Sequence, residues 1–476
     1  MGVPTMTTKE PERPPGTAAY ASRRGRGVLL ASVLGSGMAF LDSTAVNVAL
    51  PALGHEFGAG LTGLQWAVDA YLLTLSTLVL TGGALGDAYG QRRIFLLGVA
   101  VFTLTSMLCG LAPSITVLAV ARAAQGAGAA LLVPSSLALL RTSFSDEERT
   151  RAVAAWAGLS GVTTAVGPLL GGWLVDAWSW RAVFFINLPL ALITAGVAYR
   201  CVPRPAPSTH APRLDQAGAA TAALGIGGIT CALIEGPAHG ASALSLVAGA
   251  LGVLSLAAFL LIEARASHPM LPLGLFRSRA FTGANLTTLA VYFALGGAVF
   301  FIVIALQQEL GYSALAAGVS LLPITLLMLL LSPPVGRLAQ KMGARPFMVV
   351  GPWVAGVGLA LLTRLSHGGY VTTVLPGVAI LGVGLALTVG PLTSVVLGSV
   401  EERHAGVASG VNNAVARLAG LLAVALLPLV GGIAGRSGAD FLAGVHRALW
   451  MSAALCGLGG LCSRLMLPGG KPNSRA

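Results

Sequence analysis

Apolar runs of about twenty residues recur fourteen times along this chain of 476 residues, and about twenty residues is the length of α-helix that crosses the hydrocarbon of a bilayer. Inside lipid a backbone N–H or C=O meets no water, so such runs must satisfy themselves as helices. Composition agrees: 55% of the residues are hydrophobic and 10% charged, where a soluble protein carries about a quarter charged residues. The chain reads as an all-α polytopic membrane protein. The runs fall at about 28–50, 62–85, 94–112, 115–138, 151–176, 180–200, 214–234, 242–263, 281–308, 314–334, 346–365, 372–396, 405–433 and 444–466.

The loops between runs carry a repeat. Gly83 to Arg93, GALGDAYGQRR, separates the second and third runs, and Gly336 to Pro346, GRLAQKMGARP, separates the tenth and eleventh. Gly83, Leu85, Gly90 and Arg92 fall on Gly336, Leu338, Gly343 and Arg345 at one constant offset. Glu147-Glu148-Arg149 recurs as Glu401-Glu402-Arg403, one residue out of that register. The chain is therefore two similar halves, runs 1–6 and 9–14, with runs 7 and 8 inserted. A parallel repeat of hydrophobic helices is the organisation of secondary transporters. The expected divisions are a tail at 1–27, a six-helix bundle at 28–200, a linker with two helices at 201–280, a second bundle at 281–466 and a tail at 467–476. Part of the linker, HPMLPLGLFRSR (His268 to Arg279), mixes apolar and basic residues as a segment lying on a membrane surface does.

A net charge of +12 invites a nucleic-acid partner, but its placement excludes one. Of 29 Lys and Arg, only Arg181, Arg364, Arg436 and Arg447 fall on one side, and Arg122 and Arg417 lie inside runs. The rest occupy the tails and every second loop. That asymmetry is the positive-inside rule, which places both tails in the cytoplasm and the protein in the cytoplasmic membrane. The five cysteines form no metal-like pair and suggest no disulfide. No phosphate-binding loop, Ser-His-Asp order or metal spacing is present, so an enzyme reading has no support, no cofactor is expected, and an ion gradient is the expected energy source.

Strong charges inside helices are costly and usually face a cavity or a partner. Asp42, Asp69, Arg122 and Arg417 are such charges. Counted from the outer helix ends, Asp42 and Arg122 lie at similar depth, roughly 10–12 Å in, with Asp69 near that level. Gln125 shares a face with Arg122. The pair can be a structural ion pair or a proton-responsive site. Burial and an arginine act on a carboxyl in opposite senses, which makes Asp42 the first choice for proton exchange. Asp69 follows Gln65 and Trp66, which read as interfacial, so a structural role competes for it. Arg417 carries no assignment. In run 9, Asn285, Thr288 and Tyr292 share one face, either a polar packing seam or a wall of the substrate cavity. Run 5 is crowded with Gly158, Gly161, Gly167, Gly171 and Gly172 around Pro168. Gly167 and Gly171 let another backbone approach closely, and Pro168 bends the helix.

Four stretches carry a family resemblance: LDSTAVNVALP (Leu41 to Pro51), GALGDAYGQRR, LAVARAAQGAGAA (Leu118 to Ala130) and GVTTAVGPLLGG (Gly161 to Gly172). With fourteen helices, the chain resembles the drug:proton antiporters of the major facilitator superfamily. ALIEGP (Ala232 to Pro237) and FTGANL (Phe281 to Leu286) are similar to antibiotic-resistance exporters of antibiotic producers. The resemblance implies proton-coupled export of hydrophobic small molecules, cations among them. It makes Asp42 the membrane-embedded acid and the fifth helix a leak-limiting surface packed on the tenth. It makes Gly83, Asp87, Gly90, Arg92 and Arg93 a cytoplasmic gate in which Asp87 faces the start of the thirteenth helix. The second repeat has Gln340 where the first has Asp87, so any latch is one-sided. A nutrient symporter and a membrane sensor are the competing readings.

Overall fold

The computed structural model describes residues 19–203, 215–239, 242–266, 269, 271–366, 369–401, 405–433 and 438–468. Most of both tails, most of the 201–213 linker, part of the His268 to Arg279 segment, and Glu402-Arg403 of the second repeat lie outside them. Fourteen helices among the described residues are long and apolar enough to cross a membrane. They are α1 Arg23–Phe57, α2 Leu61–Tyr89, α3 Gln91–Gly110, α4 Ile115–Ser143, α5 Glu148–Ala177, α6 Ala182–Cys201 and α7 Gln216–Pro237. The remainder are α8 Ala243–Arg265, α9 Arg279–Glu309, α10 Ala314–Met342, α11 Arg345–Leu362, α12 Leu375–Gly398, α13 Gly406–Gly431 and α14 Gly438–Met466. The chain is a multi-pass membrane protein. The bundle end holding the start of α1 and the end of α14 is the tail end; the opposite end is the far end.

Side chains cap several helix starts. Ser22 starts α1, its Oγ accepting from the Gly25 amide at 3.0 Å, and Ser114 starts α4 by accepting from Val117 at 3.3 Å. α6 breaks at Ile186 and α10 at Leu321. After the second break Pro323 lies in the first turn, where its missing N–H costs nothing. α9 closes in a wider π turn, Ala305–Glu309.

The repeat seen in the loops is also a repeat of geometry. Gly90 ends α2 with φ 92° and Gly343 ends α10 with φ 87°, a backbone region that a side chain would strain. Arg92 then donates to the Tyr199 carbonyl of α6 at 2.7 Å, and Arg345 to the Arg464 carbonyl of α14 at 2.7 Å. In each half the loop arginine ties the second and third helices to the exposed carbonyls of the sixth.

The two ends of the molecule pack differently. At the far end one cluster of buried apolar residues spans both halves, joining Leu50, Leu53 and Phe184 to Phe300, Ile302 and Leu427. At the tail end the clusters are separate. One belongs to the first half, with Phe95, Phe102 and Phe144, and another to the second, with Phe281, Met348 and Leu392.

Two seams join the halves. Along one, α2 packs on α13 from Gln65 at the far end to Leu80, which faces Gly410 near the tail end. Along the other, α5 packs on the first part of α10. The inserted α7 lies against both α2 and α13, and Trp66 of α2 donates to Glu235 of α7 at 2.7 Å. α8 packs on α7, Gly252 meeting Gly228 with backbones nearly touching. It exposes Leu244, Leu251, Leu254 and Leu261 to lipid.

Candidate functional site

The site lies between α1, α2, α4 and α6. Asp42, fully buried on α1, is held by three donors. Arg122 of α4 donates through Nη1 to Oδ2 at 2.5 Å. Gln125 donates through Nε2 to Oδ1 at 2.9 Å. Asn187 of α6 donates through Nδ2 to Oδ1 at 3.2 Å. Arg122 also donates to Gln125 Oε1 at 2.8 Å and, through Nε, to the Ala67 carbonyl of α2 at 3.0 Å. Its guanidinium lies 4.2 Å from the centre of the Tyr71 ring.

Helix periodicity explains the grouping. Arg122 and Gln125, three apart on α4, project from one face. Asn187 opens the second part of α6 just past the Ile186 break, which turns it inward. Its Nδ2 also donates to Ser106 Oγ at 2.9 Å, and Ser106 donates to the Phe184 carbonyl at 2.8 Å. Asn187 Oδ1 is buried with no partner. A charged pair of this kind is held in low dielectric by satisfying every lone pair it can, and removing the charge of either member leaves the other exposed to that medium.

The structure brings Asp42, Arg122 and Gln125 together, as the depth argument expects. It leaves Asp69 outside the cluster: its side chain is buried and neither oxygen has a hydrogen-bond partner. Trp66 is part-buried against Glu235 of α7. Gln65 is buried and donates to the Val424 carbonyl of α13 at 2.8 Å.

Asn285 and Thr288 prove to be a packing seam. Asn412 of α13 donates to Asn285 Oδ1 at 3.2 Å and to Thr288 Oγ1 at 2.7 Å, and both α9 residues are buried. Tyr292, one turn on, is less buried.

The glycine face of α5 divides. Gly167 and Gly171 pack on Thr44 and Ala45 of α1, not on α10 as the resemblance implies. Pro168 and Gly172 make the contact with α10: a Cβ at Gly172 would lie 2.6 Å from the Ala314 carbonyl oxygen. Gly158 and Gly161, nearer the tail end, have nothing within 4 Å of a Cβ position. Asp87 is exposed and accepts from Gln91 at 2.7 Å, four residues on, rather than facing α13. Gly83 makes ordinary contact with Pro134, and Arg93 is exposed.

An acid does meet a helix start across the halves, at the other end. Asp176, at the end of α5, accepts from the amides of Ala314 at 3.0 Å and Leu315 at 2.8 Å, the first turn of α10. Gln307 of α9 adds a bond to the Val48 carbonyl of α1 at 3.0 Å. Sequence reading ends the fifth run at Asp176 and assigns it no role. Among the described residues no three potential ligands gather as a metal would need.

Two six-helix halves related by a repeat, with a charged cluster at membrane depth, are the organisation of a secondary transporter. The sequence pattern of the Major Facilitator Superfamily matches residues 32–424, and the chain belongs to that family. It is 37% identical over 401 residues to the multidrug resistance protein Stp of Mycobacterium tuberculosis, covering 84% of this chain and 74% of that protein. To a methylenomycin A resistance protein of Bacillus subtilis it is 34% identical over 450 residues, covering 94% and 95%. To the tetracenomycin C resistance and export protein of Streptomyces glaucescens it is 35% identical over 428 residues, covering 89% and 79%. Among solved structures, a bacterial homologue of the human lysosomal transporter Spinster aligns with a TM-score of 0.68 at 17% identity, over 94% of this chain and 98% of that one. The xylose transporter XylE of E. coli aligns at 0.63 and 15%, over 94% and 97%.

Proposed function

We propose that the protein exports hydrophobic small molecules, antibiotics or drugs, across the cytoplasmic membrane in exchange for protons. The observation that carries this reading is the Asp42–Arg122–Gln125–Asn187 cluster, an acid at membrane depth whose charge is balanced by one arginine. Protonation of Asp42 removes the counter-charge of Arg122 and with it the reason for this packing of α1, α4 and α6. Proton entry and rearrangement of the first half are thus linked. The resistance proteins among its relatives support export as the direction. The proton gradient supplies the energy, with no cofactor. The charge asymmetry of the loops supports cytoplasmic tails, and the core shared only at the far end supports a form facing the cytoplasm. A cationic substrate would have to displace Arg122 from Asp42, which has no free face here.

The test is accumulation of ethidium, and of the antibiotics named by the relatives, in a sensitive host with and without an uncoupler. Expressing cells should retain less, and the uncoupler should abolish the difference. Asp42→Asn should reach the membrane and lose uncoupler-sensitive efflux. If Asp42 only neutralises Arg122, Asp42→Asn combined with Arg122→Gln will regain proton-driven efflux, which sinks the coupling role. Gradient-driven uptake would mark a symporter, and no flux across the panel a sensor.

A further inference from the structure

Two strong charges, Asp69 and Arg417, are left without a role, and only the second is a cation. Arg417 lies mid-way along α13, half-buried, and among the described residues it makes no hydrogen bond and no ion pair. Its position follows from the helix registers. Gln65 of α2 meets Val424. Arg417 is seven residues deeper, about 10 Å, and the same step along the antiparallel α2 ends beside Tyr71. On α9, Thr288 meets Asn412 and Gly296 meets Gly420, so Tyr292 falls level with Arg417. Tyr71 and Tyr292, one from each half, are thus both level with it. Arg417 therefore stands at the level where α13 packs on α2 of one half and α9 of the other.

Its counter-charge is missing. Asp42 is filled by Arg122, Gln125 and Asn187, and Asp69 is sealed in its own buried place without a donor. Arg122 is neutralised where it stands, so Arg417 is the cation left for a solute to meet. An unpaired cation at membrane depth is costly, and a guanidinium presents a planar fork that fits a carboxylate through two parallel hydrogen bonds.

We propose that Arg417 anchors an acidic group of the transported molecule, a carboxylate or an oxyanion of like geometry, with Tyr292 beside it. The substrates of this exporter then include acids, where the resemblance to drug exporters had pointed to cations. The proposal rests on the export reading only in taking the space between the halves as the substrate route.

The test compares rhodamine B with its ethyl ester, which differ only in the esterified carboxyl, by fluorescence anisotropy with purified protein and no proton gradient. The parent protein should bind the free acid more tightly. Arg417→Gln should weaken rhodamine B by about tenfold, ~1.4 kcal/mol, and leave the ester unchanged, which also shows that the variant is folded. Arg417→Lys, a point charge without the fork, should keep the preference at reduced affinity; if the Gln variant does not fold, loss of preference in the Lys variant overturns the proposal. Equal affinity of the parent for both dyes, equal loss of both in Arg417→Gln, or binding of neither also overturns it. So does recovery of rhodamine B binding in Arg417→Gln on adding Asp69→Asn, which would make Arg417 the partner of Asp69. Because no gradient is used, failure of proton coupling leaves this result standing, and the reverse.

Discussion

The far end and the tail end are built from equivalent parts and are in opposite states. At the far end one apolar core crosses both halves, Gly172 lets α5 and α10 touch, and Asp176 caps the start of α10. At the tail end each half keeps its own core, Gly158 and Gly161 touch nothing, and Asp87 turns back to Gln91. Small residues and an acid thus recur at both ends, engaged across the halves at one and not at the other. In the export cycle proposed above, these devices would act as a latch at each end, one closing as the other releases.

Four changes break or sharpen that comparison. Gly172→Val should do most, because its Cβ would meet the backbone of Ala314 and Leu315 rather than a movable side chain. Transport should fall to background, and spin labels at His55 and Val371, on a background without native cysteines, should separate. Asp176→Asn comes next. Losing charge-assisted bonds worth ~1.5–3 kcal/mol should favour the far-end-open form by about tenfold or more, read from the same label pair; an unchanged distance distribution would refute the far-end latch. Asn187→Ala removes one bond to Asp42, about 1 kcal/mol, so transport should drop by roughly fivefold and its pH profile should move. A flat response of that profile would make Asn187 a packing residue only. Asp87→Asn should be smallest, since a charge near a helix start is worth about 0.3–1 kcal/mol. Expression should hold, transport should fall by a few-fold, and labels at Tyr89 and Met342 should stay apart more of the time. Full transport with unchanged tail-end distances would remove the tail-end latch from the mechanism.

Much of this was legible in the residues because lipid enforces simple rules. Fourteen apolar runs became fourteen spans, since nothing but helix satisfies the backbone there. The Asp42–Arg122 pair followed from depth, and Gln125 from its place one turn along α4. What escaped reading has a common cause: a sequence places a residue on a face and cannot say what that face meets. Asn285 and Thr288 share a face as expected, and Asn412 of α13 occupies it. Gly167 and Gly171 permit close approach as expected, and the neighbour is α1. Asn187 was invisible because it is uncharged and follows a helix break that apolar periodicity does not reveal. Asp176 was invisible because its partner lies in the other half, and a backbone amide leaves no mark in the sequence.

The inserted hairpin has a consequence for molecules dissolved in the bilayer. A two-fold transporter offers lipid two equivalent flanks, one along each seam. Here α7 and α8 wall off the α2–α13 flank, while α5 stands nearly bare on the other, with Leu159, Val162 and Val166 turned outward. A greasy solute diffusing sideways through the leaflet therefore meets two unequal flanks, one covered by a hairpin and one by a single helix.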